Sequence, residues 1–216
     1  MRVDPSGWLV ADPGDPRVFR VETLRVTPMR GPARAVVWHW TAGYGSARTL
    51  AANAKGGAGS SFHLGIDRDG TITQLAPVTI GTLHCRGRGP FGMWNECSIG
   101  IELVNVGRVM RSGTQWLQVD NPQDPPEKHR PNHKVFVPPA DVVEAHGGHW
   151  QNFDARQIRS ARGVLGALRR EFPRMTDADV AYGHLDLDPT RKADPGLHFM
   201  RDHLPGLVAA TRPGVA

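Results

Sequence analysis

The sequence predicts a single α/β domain in which helices flank a central mixed β-sheet, and three observations lead there. Short apolar runs of the buried-strand type, Ala35 to Trp40 and Cys97 to Val106, are separated by helical and turn patterns. No internal repeat is present. A chain of 216 residues suits one domain with a full core.

The elements follow in order. Residues 1–34, rich in Pro and Gly, read as an irregular lead-in packed on the domain. The body of the domain spans 35–204. Ser46 to Lys55 predicts a helix with Ser46 as its cap and Gly56-Gly57 as its stop. Ser61 to Ile66 and Thr71 to Leu75 flank Asp67-Arg68-Asp69-Gly70, whose composition is that of a hairpin turn. Residues 107–150 hold six prolines, four histidines and little periodicity, and read as a long surface insertion with at most a short hairpin and with solvated histidines. Ile158, Ala161, Leu165, Leu168 and Phe172 recur at steps of three and four behind a candidate cap, Asp154, which predicts an amphipathic helix. A strand is expected near Val180–Tyr182, and residues 205–216 read as a tail.

The formal net charge of +5 points to an anionic partner. Much of it is local: residues 155–175 carry six arginines against one acid, Glu171. Arg156, Arg159, Arg170 and Arg174 fall opposite the apolar stripe, as a solvated outer face would. No nucleic-acid-binding motif accompanies the charge, so no nucleic-acid partner is expected. No stretch approaches the roughly 18 apolar residues of a membrane span, and the opening lacks the apolar run of a secretory signal, so the expectation is cytoplasmic synthesis without membrane insertion. Cys85 and Cys97 show no metal-type spacing and read as reduced thiols, with a disulfide across their short loop as the alternative.

Candidate chemistry gathers at predicted strand ends. His39 closes one strand, His184 follows another, and Asp194 lies ten residues beyond His184. Asp194 precedes a proline, which favours extended backbone, and residues two apart in extended chain face one side. Lys192 and Asp194 are therefore expected to point into the same space. Two imidazoles and a carboxylate suit a catalytic zinc with one position left for water. Spacing alone does not select them, because nothing here matches a local pattern such as HExxH.

Four segments add what spacing does not. VVWHWTAG, SSFHLGIDRDGTITQL, CSIGIELVN and GHLDLDPTRKADPG resemble, in order and spacing, the zinc-dependent N-acetylmuramoyl-L-alanine amidases of type 2, in the peptidoglycan-recognition-protein superfamily. The resemblance covers most of 35–106 and 153–200, and the opening VDPSGWL is similar to that of muropeptide-recycling members. It implies one zinc at the floor of an open groove, held by His39, His184 and Asp194, with no organic cofactor. It also implies hydrolysis of the amide between N-acetylmuramic acid and L-alanine in peptidoglycan or soluble muropeptides, by a monomer. Lys192 falls on the catalytic lysine and Glu102 on the acid of the SIGIEL block. Phage members place a catalytic tyrosine where this chain has Phe62, so the polar role passes to Glu102. The resemblance brings His84 near the substrate groove, where Trp40 is the candidate sugar contact. His63 is read as structural or supporting, and Asp186 as orienting a ligand histidine or capping its loop. The expected setting is a phage-type lysin acting on the wall after release. The alternatives are a cytosolic anhydro-muropeptide recycling amidase and a non-catalytic wall-binding module.

Overall fold

The computed structural model describes residues 1–21, 26–55, 61–120, 122 and 124–214. Six strands form the central sheet: β1 (Val18–Arg20), β2 (Ala35–Trp40), β3 (Leu64–Ile66), β4 (Ile72–Gln74), β5 (Ser98–Leu103) and β6 (Tyr182–Gly183). Their order across the sheet is β6-β2-β5-β3-β4-β1. Only the β3–β4 hairpin pairs antiparallel; the other neighbours run parallel. The sheet is mixed, as expected. The turn of that hairpin closes at Gly70, whose φ of +89° suits glycine, and an added Cβ would lie 2.8 Å from Ser160 Oγ.

Both faces of the sheet are covered, which is why β2 and β5 read as nearly continuous apolar runs. Alternation assigns their side chains. Val36, Trp38, Ile99 and Ile101 enter the main core, while Ala35 and Val37 join a smaller cluster with Cys85, Trp94 and Cys97 on the opposite face. The parallel register sets Ser98 beside Ala35, Gly100 beside Val37 and Glu102 beside His39. On β2 and β5 one face is therefore apolar, and the other carries Ser98, Gly100, Glu102 and His39.

Four helices bear on this frame: α1 (Ala47–Lys55), α2 (Ala155–Glu171), α3 (His184–Leu187) and α4 (Leu204–Ala210). Ser46 Oγ accepts from Thr49 N, as a cap should, whereas the expected stop at Gly56-Gly57 lies outside the described residues. Asp154 caps α2 by accepting from Arg156 N at 2.8 Å. Ala161, Leu165 and Leu168 are fully buried. Each leucine so placed stabilises by about 1.5–3 kcal/mol. Gln157 Nε2 donates to the carbonyls of Ile66 and Val104, and Ser160 Oγ to that of Gly70, so polar bonds also set the helix on the sheet.

Three segments differ from their reading in sequence. The insertion is not loop: five strands within it form an antiparallel sheet, ordered Arg130–Val137, Gln115–Asp120, Arg108–Ser112, Gly148–Gln151, Val142–Ala145. Its own cluster is small, Val106, Val109 and Val137 backed by Trp116, Val135 and Val142, with Leu117, Val119 and Trp150 buried besides. Pro131 is tolerated because it lies in an edge strand. Three of its four histidines are tied in, His129 to the Asp124 carbonyl, His146 to Asp202 and His149 against Trp116, while His133 is exposed as expected. The segment read as a tail begins with α4, which buries Leu207 and Val208. The lead-in contributes β1, and Leu9 N donates to Gln74 Oε1 inside the core.

Candidate metal centre

The site lies where β2, β5 and β6 end. His39 is on β2, on the face shared with Ala35 and Val37. Gly183 lies level with Trp38, so His184, the next residue, arrives level with His39. Asp194 comes from the following loop, tied back by a bond from Leu185 N to its carbonyl at 2.7 Å. Asp186 accepts from Gly183 N at 2.8 Å, capping the turn that delivers His184.

His39 Nδ1 and His184 Nδ1 lie 2.9 and 3.0 Å from the same oxygen, Asp194 Oδ2. The three residues are 2%, 3% and 7% exposed. One atom from each lies within 4.8 Å of the others, and among the described residues this is the only His/Cys/Asp/Glu group so placed. Burial works to raise Asp194, but the imidazoles set against its Oδ2, His184 ahead of His39, prevail and hold it below the usual carboxylate range. Burial lowers His39, against the pull of Asp194. Neutral imidazole and ionised carboxylate are the forms a metal requires.

A second ring fixes which nitrogen of His39 is bare. Ser98 Oγ donates to the Trp94 carbonyl at 2.6 Å, which uses its only proton. His84 Nε2, 3.2 Å from Ser98 Oγ, must therefore donate to it. Burial, reinforced by His39, His63 and His184, holds His84 far below its ordinary value, so the ring is neutral and its Nδ1 accepts. Its partner at 3.1 Å is His39 Nε2, which consequently carries the proton. The His39 Nδ1 lone pair is left facing the Asp194 carboxylate at 2.9 Å. Two electron-rich atoms held so close call for a cation between them, and that is the test the donor set passes.

Glu102 stands beside His39 in register. Its Oε2 is buried without a hydrogen-bond partner among the described residues. Burial, with Asp194 adding to it and Lys192 opposing, pushes the carboxyl well above its usual range. Lys192 is half-buried and, among the described residues, makes no ion pair. Its charge acts on both His39 and Glu102.

Two residues expected at the groove are buried. His84 is buried with both ring nitrogens engaged, and Gly100 leaves room for it: a Cβ there would come 2.5 Å from His84 Cγ. Trp40 is buried against Trp150 and fills the space over Gly107 and Gly196, because the second sheet folds onto it. Phe62 packs with Ala51 and Leu75, away from polar chemistry. His63 is structural: its Nε2 donates to the Ile80 carbonyl while its Nδ1 accepts from Thr82 Oγ and Gly100 N. Cys85 and Cys97 are free and buried, and burial pushes the Cys85 thiol up to about 12. The contribution of Ser98 went unread in the sequence, although Ser-Ile-Gly-Ile-Glu-Leu alternates small or polar with apolar residues in a way that signals it.

Fold and site together define a mixed-sheet α/β domain whose His-His-Asp group can hold a metal. Residues 29–197 match the N-acetylmuramoyl-L-alanine amidase family, and the chain belongs to it. It is accordingly an amidase acting on peptidoglycan. The solved structures it is similar to include a selenomethionine AmpD, at 21% identity and a TM-score of 0.59, covering 96% of this chain and 99% of that one. An endolysin from Bacillus subtilis follows at 17% and 0.53, covering 91% and 99%. AmpDh3 from Pseudomonas aeruginosa, in complex with an anhydromuramic pentapeptide, gives 18% and 0.54, covering 96% of this chain and 66% of that one. No curated protein sequence matches the chain.

Proposed function

We propose that the chain is a zinc-dependent amidase that cuts the bond between N-acetylmuramic acid and L-alanine as a phage-type lysin, synthesised in the cytoplasm and reaching the wall on release. The observation that carries the metal reading is the bare His39 Nδ1 held against Asp194 by the His84–Ser98 chain. His39, His184 and Asp194 would hold the ion. When bound there, zinc lowers the pKa of water to about 7 and polarises a carbonyl.

The remaining chemistry belongs to the chain. Glu102 takes a proton from the attacking water and returns one to the alanine nitrogen as the C–N bond breaks, leaving a lactyl carboxylic acid and a free amine. Its raised carboxyl suits a group that must hold that proton in between. Lys192 stabilises the oxyanion of the tetrahedral intermediate with a charge already in place.

The presence of Glu102 in the SIGIEL strand, with the GWL opening, favours a second reading, recycling of soluble anhydro-muropeptides. Mass spectrometry of digests separates the two. A lysin releases L-alanine amino termini from intact sacculi faster than from anhydro-muropeptides, and a recycling enzyme shows the reverse order. New reducing ends, or cuts within the peptide, would sink both.

A further inference from the structure

The arginine-rich helix has no part in the site above, and one of its faces is unusual. Gly163 and Gly166 sit inside α2, where glycine weakens a helix relative to alanine. Packing does not demand them. The nearest atom to a Cβ at Gly163 would be Met1 Cε at 3.8 Å; a Cβ at Gly166 would meet Arg170 Nη1 at 3.5 Å and Thr211 at 3.8 Å, ordinary contact. The two glycines instead help to line a cavity of about 520 Å³ between α2 and the segment that follows α4. That volume is in the range of small-ligand sites, roughly 300–1,000 Å³. None of its lining residues belongs to the metal centre.

The other walls are basic. Arg162, Arg169, Arg170 and Arg212 all line it. Arg169 is 5% exposed and is fixed by bonds to the Val208 carbonyl and to Asp177, while Arg170 donates to the Met1 carbonyl at 2.6 Å. Asp177 is shared between Arg169 and Arg212, both at 2.7 Å. Asp15, the acid of the lining, is already ion-paired with the Met1 amine. Arg162 is exposed and, among the described residues, has no ion pair. Positive charge thus exceeds its internal partners around a hollow that glycine keeps open. Guanidinium groups present forked donors that match phosphate oxygens, and a dianion would balance the excess.

We infer that this cavity binds a phosphate group, carried by a small phosphoester or by a phosphodiester polymer. Calorimetric titration of the whole chain with inorganic phosphate, and separately with linear poly(glycerol phosphate), at fixed ionic strength tests it. Phosphate should bind where acetate does not. The double variant Arg162→Gln/Arg170→Gln should bind at least about tenfold more weakly, since each removes a charge-assisted bond. Gly166→Leu, which fills the hollow, should abolish binding while melting no lower than wild type. Both variants should keep wild-type turnover on soluble muropeptides. Polymer binding at least about tenfold tighter than phosphate assigns the diester, and equal affinity per phosphate assigns the small ester. Phosphate binding no stronger than acetate, or unchanged in the arginine double variant, overturns the inference.

Discussion

In the proposed mechanism Glu102 and Lys192 act on charge that develops only as the amide is attacked, and neither is among the three residues proposed to hold the metal. Glu102→Ala and Lys192→Ala should therefore retain metal and fold, yet lose at least about 100-fold in turnover on wall fragments. Wild-type turnover in Glu102→Ala would remove the proton-transfer assignment. His84 acts one step further back, by fixing the proton on His39. His84→Ala should weaken metal binding about 10- to 100-fold, and His84→Asn, which restores an acceptor, should recover part of it; equal affinity in all three proteins would refute this. His63 makes a separate claim, on stability. Burial lowers it to about 4, so between that value and its ordinary 6.5 the unfolded chain binds the extra proton and the fold does not. Stability should be full above about 6.5 and fall by about 3 kcal/mol as pH drops to about 4. Urea titrations at several pH values should show that slope in wild type and a shallower one in His63→Gln.

Strand β5 shows how much of the site could be read at the scale of an element. Its apolar residues announced a buried strand, and the four-segment resemblance placed Glu102 beside the metal-holding residues. The other half of the pattern, Ser98 and Gly100 on the opposite face, acquires meaning only once β5 is in register with β2 and His84 packs between them. Gly100→Ala should accordingly push His84 aside, lowering metal affinity as His84→Ala does; unchanged affinity would show that the ring has room to spare. Helix α2 was legible because capping and periodicity agree locally. Asp154→Ala should cost about 1 kcal/mol of stability in thermal melts. What periodicity could not reveal was that Arg169 turns inward, to the Val208 carbonyl and Asp177, since that depends on where α4 docks.

For the whole molecule, the sequence announced the central sheet because its strands are covered on both faces and must be apolar. The 108–151 sheet was hidden for the opposite reason: much of it stays exposed, and its backbone pairing does what side-chain burial does elsewhere. It is nevertheless part of the site's support, because Trp150 backs Trp40 behind the loop that carries Asp194. Segments distant in the chain thus converge to set three atoms that could hold a metal around one point. The account turns on a cation at that point. Metal analysis of purified protein, paired with amidase assays before and after chelation, tests this most directly. The expected result is about one zinc per chain, activity abolished by chelation and restored by zinc, and most of the metal lost in each of His39→Ala, His184→Ala and Asp194→Ala. Metal-free protein that still releases L-alanine amino termini at the full rate would contradict it.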